Sequence, residues 1–271
     1  MESTHELTAP KRTAAGRVLA LLDAFTQGGS PLTLSEISRQ AGLSLTTTHR
    51  LVKEVLQWGG LELDESGRYR LSCKILGLAS TSRAMVLRER ALPHLMELHS
   101  RTGMSVHLAV RDRDEVMYIE ALRAHPNYTG RSRIGGHFRL HVTATGLVLL
   151  AHEREEFIEE YLNQPLKRYT EHTIADADEL RTTLHDVRQQ GYAVAHQFVS
   201  PTAGAVGAPI VGLDGEVTSS LGLTYHVNQV NPSALVDLVR VTATRISRAL
   251  REKQQLDPRT VDFNRRHAGM L

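Results

Sequence analysis

The sequence predicts an α+β protein of two domains, a winged helix-turn-helix near the N-terminus and an α/β domain after it. Three observations carry this prediction. Apolar residues recur at helical spacing in three successive N-terminal segments. A short alternating hairpin follows the third segment. In the rest of the chain, segments with helical spacing of apolar residues follow segments with the alternating pattern of strands. This part is long enough to bury a core of its own.

The changes of pattern along the chain set the predicted domain boundaries. We predict a tail at residues 1–11, the winged helix-turn-helix at 12–73, a linker helix at 74–90, the α/β domain at 91–253 and a charged C-terminal tail at 254–271.

The composition is typical of a globular protein from a reducing compartment. Of the 271 residues, 41% are hydrophobic and 23% are charged, and the single cysteine cannot form an internal disulfide. The apolar runs are shorter than the ~20 residues of a membrane span, and the first residues lack a basic-then-apolar secretion signal. We therefore predict a cytoplasmic protein with no membrane partner. The net charge of +2 gives no indication of nucleic-acid binding.

The N-terminal segment predicts three helices with a tight turn before the last. Apolar residues at i, i+3, i+4 and i+7 over 18–25 mark the first helix, which Gly28-Gly29 would end. Thr33 and Glu36 have the spacing of a capping box for the second helix, which stops at Gly42. This is the spacing of a helix-turn-helix.

The third helix, capped by Ser44 and running to about Trp58, separates an apolar face from a polar one. Short hydroxyls and cationic side chains near its N-terminus suit base edges and phosphates in a major groove. The hairpin that follows it, over 61–71, reads as a wing whose arginines suit phosphate contacts. The predicted DNA-binding residues are Ser44, Thr46, Thr47, His49, Arg50, Lys53, Arg68 and Arg70.

A second interpretation of the same pattern remains open. A three-helix unit with a hairpin can also act as a dimerisation module that does not bind DNA. The protein would then be a small-molecule-binding or hydrolytic protein whose N-terminal helices do no more than dimerise it.

Beyond the linker, the pattern predicts a sheet with helices on its faces. The predicted strands lie at 106–110, 116–122, 192–195, 205–211 and 217–224, with Asp214-Gly215 turning between the last two, and the predicted helices lie around 92–99 and at 143–151, 180–190 and 232–253.

The N-terminal motif resembles the helix-turn-helix of the IclR family of transcriptional regulators. The resemblance rests on Leu-Ser-Glu-Ile-Ser-Arg-Gln-Ala-Gly-Leu at 34–43 and Thr-Thr-Thr-His-Arg-Leu at 46–51. It continues at Tyr69-Arg70-Leu71, Leu76-Gly77, 103–110, Gly135, Leu140-His141, Ala144-Thr145-Gly146 and 180–194, and so covers about residues 14–250.

The resemblance implies a GAF-like effector-binding domain and a linker helix that helps to form a dimer. It implies a ligand-responsive regulator of a catabolic operon, acting as a homodimer or a dimer of dimers on a pseudo-palindromic DNA operator. Repressor and activator both remain open.

Several positions depart from the family pattern. Leu147 replaces a lysine, Arg139 a proline and Ala205 a cysteine, and Gly222 and Thr224 replace serines. An acidic run is replaced by Ala-His-Gln-Phe at 195–198. The smaller side chains predict room for a bulkier or less polar effector.

The start of the helix at Ala144-Thr145 predicts a site for a carboxylate, because free amides and the positive end of the helix favour an anion. We therefore predict a small organic acid as effector, of aromatic type. The predicted effector-binding residues are Tyr128, Arg131, Arg133, Ala144, Thr145, Ala195, His196, Ala205, Gly222 and Thr224.

No motif predicts catalysis, a cofactor or a metal. Among fourteen histidines, His137 and His141 are the closest pair with ligand-like spacing, and no cysteine or second pair accompanies them. Gly-x-Ser-x-Gly, Ser-x-x-Lys and phosphate-loop motifs are missing.

Overall fold

The computed structural model describes residues 13–27, 31–124 and 132–251. Gly28-Gly29, Tyr128, Arg131 and both predicted tails lie outside these residues, so those predictions remain untested. The contacts divide the chain into two units between Ser82 and Arg83, within the segment predicted as the linker.

The N-terminal unit contains the three predicted helices and one core. Helix α1 spans Ala14–Gln27, α2 spans Leu34–Ala41 and α3 spans Leu45–Trp58. Leu21 of α1 and Ile37 of α2 are fully buried, and the predicted stripe of α3 is buried with them. The helical spacing in the sequence therefore corresponds to one shared apolar core.

A capping box begins α2, as predicted. The hydroxyl of Thr33 accepts a hydrogen bond from the Glu36 amide at 3.3 Å, and Glu36 Oε2 accepts one from the Thr33 amide at 2.7 Å. Hydrogen bonds from the backbone and side chain of Thr33 lower the pKa of Glu36. Gly42, with φ of +62°, ends the helix in the left-handed conformation that favours glycine.

The hairpin is confirmed as an antiparallel pair of β1 (Leu61–Leu63) and β2 (Tyr69–Leu71). Leu32, just before α2, adds a bridge that the sequence did not predict, exchanging backbone hydrogen bonds with Tyr69 at 2.8 and 2.7 Å. This bridge ties the hairpin to the start of α2.

The prediction of one continuous linker helix is wrong. The segment forms α4 (Cys73–Ala79) and the first part of α5 (Arg83–Thr102), which continues through Pro93. Between them, the hydroxyls of Ser80 and Thr81 donate to carbonyl oxygens of α4 at 2.8 and 3.0 Å. Such hydroxyls compete with the helical hydrogen bonds, which favours an end to the helix at this point.

The C-terminal unit is built on one antiparallel sheet. Its strands are β3 (Ser105–Asp112), β4 (Glu115–Leu122), β5 (His137–Arg139), β6 (Ala193–His196), β7 (Ala203–Val211) and β8 (Val217–His226). Their order is β5-β4-β3-β8-β7-β6, so β3 and β8, which are far apart in the chain, are central neighbours.

Helices cover both faces of this sheet. Helix α5 and α9 (Ser233–Arg251) share one core with it, and the other core contains α6 (Ala144–Ala151), α7 (Glu155–Leu162) and α8 (Ala177–Gln190). The predicted strands and helices of this unit are present within a few residues, except that the helix predicted around 92–99 is part of the longer α5, which already begins at Arg83. Strand β5, helix α7 and the 3-10 turn Leu140–Val142 are additions that the sequence analysis did not predict.

The register shifts by one residue where β3 meets β4. Leu108 faces Glu120, whereas Ala109 faces Tyr118, so Ile119 bulges out of the pairing. Because the bulge inverts the alternation, Tyr118 belongs to the core with α6, and Ile119 belongs to the core with α5. The bulge thereby brings Tyr118 to the face on which α6 packs.

Within the described ranges, no helix combines the length and the apolar character that crossing a membrane requires.

Removing the Thr33 hydroxyl tests the contribution of the capping box. We expect Thr33→Ala to lower the free energy of unfolding by about 1 kcal/mol, because an Ala N-cap leaves an amide of α2 without its acceptor. Urea unfolding can be followed by the fluorescence of Trp58, the single tryptophan, which lies in the same unit. Thr46→Ala, an exposed threonine of α3, is the matched control and should change stability by less than ~0.5 kcal/mol. Equal effects of the two substitutions would contradict the role of the cap.

Candidate functional site

The polar side of α3 is accessible to solvent. We call Ser44, Thr46, Thr47, His49, Arg50 and Lys53 the α3 surface; all are exposed except Thr47, which is half-buried. Ser44 Oγ accepts a hydrogen bond from the Thr47 amide at 3.3 Å and lies 2.9 Å from the Thr47 hydroxyl. The cap of α3 is thus built from two of the predicted DNA-binding residues.

Two arginines of the predicted interface are held by carboxylates. Arg50 Nη1 lies 3.2 Å from Glu54 Oε1, one turn further along α3, and Arg70 Nε lies 2.8 Å from Glu62 Oε1, across the hairpin. All four side chains are largely exposed. Exposed pairs of this kind are weak. A phosphate oxygen can therefore replace the carboxylate with little loss.

Arg68 joins the hairpin to α2. Its Nη1 lies 3.6 Å from Glu36 Oε2 and donates to the carbonyl of Pro31 at 3.3 Å. The same carboxylate accepts the hydrogen bond that caps α2. The arginine is thereby oriented by the segment that precedes α2 while its side chain stays exposed.

The C-terminal unit contains a cavity of about 130 Å³. It lies at the first turn of α6, beside all six strands of the sheet and the turn before the helix. Its described lining carries no lysine, arginine, aspartate or glutamate, and its walls are mostly apolar. Such a cavity suits a small, largely apolar ligand.

Six of the predicted effector-binding residues line this cavity. The predicted residues that line the cavity are Ala144, Thr145, Ala195, Ala205, Gly222 and Thr224. Arg133 and His196 do not line it; the His196 ring instead lies 3.4 Å from the Tyr225 hydroxyl.

Other lining residues were missed as site residues. They are His107, Tyr118, Ser132, Phe138, Val142, Thr143, Phe198, Val199, Ser200, Ala203 and Gly204. Two features of the sequence pointed weakly to His107. It belongs to the segment 103–110 that carries the family resemblance, and its place in a strand among apolar residues indicated burial.

Polar groups gather where α6 begins. Thr143 is the N-cap and its hydroxyl accepts a hydrogen bond from the Gly146 amide at 2.9 Å. A helix leaves its first amides without internal acceptors, so those of Ala144 and Thr145 are donors at the cavity wall. The hydroxyl of Tyr118 forms hydrogen bonds with the side chains of Thr143 and Thr145.

The two titratable groups of the described lining are neutral at neutral pH. Burial lowers the pKa of His107 to about 4, and the charge of Arg123 acts in the same direction. Burial raises the pKa of Tyr118 to about 12, against the opposite influence of its threonine partners. The start of α6 therefore offers neutral donors rather than a fixed positive charge.

The interpretation of Gly222 as spare room for a ligand is wrong in part. A Cβ atom on Gly222 would lie 2.6 Å from Thr145 Cγ2, so the missing side chain admits the threonine of α6. Gly207 likewise makes room for the backbone of α6, because a Cβ atom at this position would lie 2.7 Å from the carbonyl of Ala144. The two glycines allow α6 to approach the sheet closely.

The histidine pair considered as a metal site has other partners. His137 Nε2 lies 3.1 Å from Asp112 Oδ2, and the buried His141 Nδ1 lies 2.7 Å from the hydroxyl of Tyr161. No group of three or more metal-binding side chains occurs within residues 13–27, 31–124 and 132–251.

The structure of an IclR homologue from Microbacterium hydrocarbonoxydans, complexed with 4-hydroxybenzoate, is similar to this chain with a TM-score of 0.83. The two sequences are 32% identical, over 88% of this chain and 99% of the homologue. The HTH-type transcriptional regulator XynR of Escherichia coli is 30% identical over 240 residues, which are 86% of this chain and 95% of XynR. The glycerol operon regulatory protein of Streptomyces coelicolor is 30% identical over 242 residues, 86% of this chain and 94% of that protein.

Two family models match this chain. The model of the IclR helix-turn-helix domain matches residues 14–65, and that of the bacterial transcriptional regulator IclR C-terminal domain matches residues 79–248, more than half of the chain. The fold class and the resemblance expected from the sequence are thereby confirmed, and the chain belongs to the IclR family of bacterial transcriptional regulators.

Proposed function

We propose that this IclR-type regulator controls a catabolic operon in the cytoplasm in response to a single-ring aromatic acid. The α3 surface and the wing arginines would bind the operator, and the acid would bind in the cavity at the start of α6. The observation that carries the effector class is this small cavity with neutral donors at one end and apolar walls elsewhere.

The size of the cavity supports a ligand with one ring. Its volume of about 130 Å³ is close to that of an apolar cavity of about 150 Å³ that holds benzene. Phe138 and Phe198 supply aromatic wall, while the amides of Ala144 and Thr145 suit a carboxylate at the positive end of α6. The 4-hydroxybenzoate bound to the Microbacterium homologue is a ligand of this class.

The exposed α3 surface supports the operator half of the proposal. Hydroxyls and cations at the start of a recognition helix are the groups that contact bases and phosphates in helix-turn-helix complexes. A homodimer or a dimer of dimers would present two such helices to a pseudo-palindromic site. The effector would act by binding one packing of the sensing domains more tightly than another.

Replacing Arg50 tests the operator surface. We expect Arg50→Ala to weaken binding to a duplex selected from a random library by the wild-type protein, by about 1–3 kcal/mol for a base contact. For a phosphate contact, the slope of log K against log salt should fall by about 0.9. Gel shifts at several salt concentrations measure both quantities.

Arg101→Ala is the matched control for this experiment. Arg101 is exposed and pairs with a glutamate four residues away on its own helix, as Arg50 does, but it belongs to the C-terminal unit. It should leave operator affinity unchanged. If Arg50→Ala also binds like wild type, α3 is not the DNA-contacting helix, and the dimerisation-only interpretation gains support.

Filling the cavity tests the effector site. We expect Thr224→Leu to weaken 4-hydroxybenzoate binding roughly tenfold or more, because the larger side chain projects from a lining position. Calorimetry gives the dissociation constant. DNA binding without ligand should persist.

Thr218→Leu makes the same substitution at an exposed position of β8 that does not line the cavity. It should bind 4-hydroxybenzoate like wild type. A panel of single-ring acids that gives no heat with the wild-type protein would refute the proposed effector class.

A further inference from the structure

His107 has an unusual position in the cavity wall. It lies on β3, paired with Ala121 of β4 and Gly222 of β8, and only 4% of its surface is exposed. Its ring centroid lies 4.7 Å from that of Tyr118. The sheet on both sides and the tyrosine ring thus hold the imidazole in one place.

The polar atoms at this end of the cavity differ in whether they have partners. The hydroxyl of Tyr118 is engaged with the side chains of Thr143 and Thr145. His107 Nε2, in contrast, has no hydrogen-bond partner. Among the described residues, three buried side-chain polar atoms lack a partner, and the other two belong to residues of the N-terminal unit that do not line the cavity.

An unpartnered buried nitrogen costs free energy of folding, and such groups are rare in native proteins. A protein gains from keeping one where a ligand supplies the missing partner. Here the histidine lines a cavity whose wall also includes Ala144 and Thr145, the first two residues of α6. The residue with the unpartnered nitrogen and the residues with the free amides therefore border one ligand-sized space.

We propose that His107 determines the specificity of the cavity for acids by donating its Nε2–H to a carboxylate oxygen of the bound effector. This inference rests on the proposed function and names the residue that distinguishes an acid from a neutral ring of similar size. The amides of Ala144 and Thr145 supply the remaining donors. Together they hold the anion with no cationic side chain from the described lining.

The charge state of the imidazole agrees with this role. A histidine whose pKa is lowered to about 4 is neutral at pH 7 and carries one N–H. A neighbouring carboxylate favours the tautomer that has this proton on Nε2. The donor therefore needs no protonation step to meet the ligand.

A phenylalanine at this position removes the donor and keeps a ring beside Tyr118. We expect His107→Phe to weaken 4-hydroxybenzoate binding roughly ten- to a hundredfold in calorimetry at pH 7, the range for a hydrogen bond to a charged group. His185→Phe, the same substitution at an exposed position of α8, is the matched control and should bind like wild type.

A glutamine at the same position distinguishes the lost donor from lost packing. The side-chain amide nitrogen of glutamine can occupy nearly the place of the histidine Nε2 and carries an N–H. We therefore expect His107→Gln to recover most of the affinity that His107→Phe loses. A purely structural role for the ring would predict no such recovery.

The pH dependence of stability verifies that the variant folds and that the wild-type imidazole is buried in its neutral form. In the folded protein the pKa of His107 is about 4, below the ordinary histidine value of 6.5. The contribution of the neutral imidazole to stability is therefore present above pH 6.5 and is lost as the pH falls towards 4. In thermal unfolding followed by circular dichroism, His107→Phe should be as stable as wild type at pH 7. It should lose less stability between pH 6.5 and 4.

The outcomes separate this inference from the proposed function. If the wild-type protein binds no single-ring acid, the effector class and the role of His107 both fail. If wild type binds 4-hydroxybenzoate and the folded His107→Phe binds it equally well, or His107→Gln is as weak as His107→Phe, the role of His107 alone is overturned.

A wild-type measurement covers the case in which His107→Phe does not fold. In the ¹⁵N spectrum of histidine-labelled protein, 4-hydroxybenzoate should shift the Nε2–H signal of His107, identified by its loss in His107→Gln. An unmoved signal in the ligand-saturated protein would overturn the assignment.

Discussion

The close approach of α6 to the sheet is the constraint on which the C-terminal unit depends. Gly207 and Gly222 lack the Cβ atoms that would collide with the first turn of the helix, and Ser220 donates a hydrogen bond to the Thr145 carbonyl at 3.0 Å. Since the helix itself is fully buried, its amino end is carried into the interior of the unit. Those backbone donors lie away from the protein surface, and in a low dielectric they act more strongly on an anion than they would at the surface.

In the N-terminal unit the groups proposed to bind a ligand are exposed rather than buried, because they must reach DNA from solvent. The apolar stripe of α3 is buried in the shared core. The helix is capped locally, by the hydrogen bond between Ser44 and Thr47 at its own N-terminus. Glu54 and Glu62 pair with the exposed side chains of Arg50 and Arg70. These exposed pairs are weak enough to exchange with phosphate, so an even balance of charge along the sequence is compatible with a DNA-binding surface.

Local signals explain what the sequence predicted well. Caps predicted the bounds of α2 and α3 nearly residue by residue, and helical spacing predicted the middle of α1, because these signals depend on neighbours within one or two turns. The break at 80–82 was missed because side-chain hydroxyls, rather than glycine or proline, end α4. The order of the strands in the sheet could not be predicted from the sequence either, since β3 and β8 are neighbours although they are far apart in the chain. Small residues around the cavity were found through the family resemblance, but the clash that explains Gly222 is visible only in three dimensions.

The bulge at Ile119 shows why the chemistry of the cavity could not be obtained from alternation alone. Strict alternation would put Tyr118 and Glu120 on the same face, whereas the shifted register sends the tyrosine towards α6 and its hydroxyl to Thr143 and Thr145. The Thr143 hydroxyl also accepts a hydrogen bond from the Gly146 amide and lies 3.3 Å from the Thr145 hydroxyl, so both threonines have partners inside the protein. Among the described side chains of this wall, the buried polar atom without a partner is His107 Nε2. His107 Nε2 and the amides of Ala144 and Thr145 are then the neutral donors that the start of α6 offers to a ligand. The bond from the histidine is made only when an acceptor of the right chemistry arrives, so it can contribute to the choice of ligand.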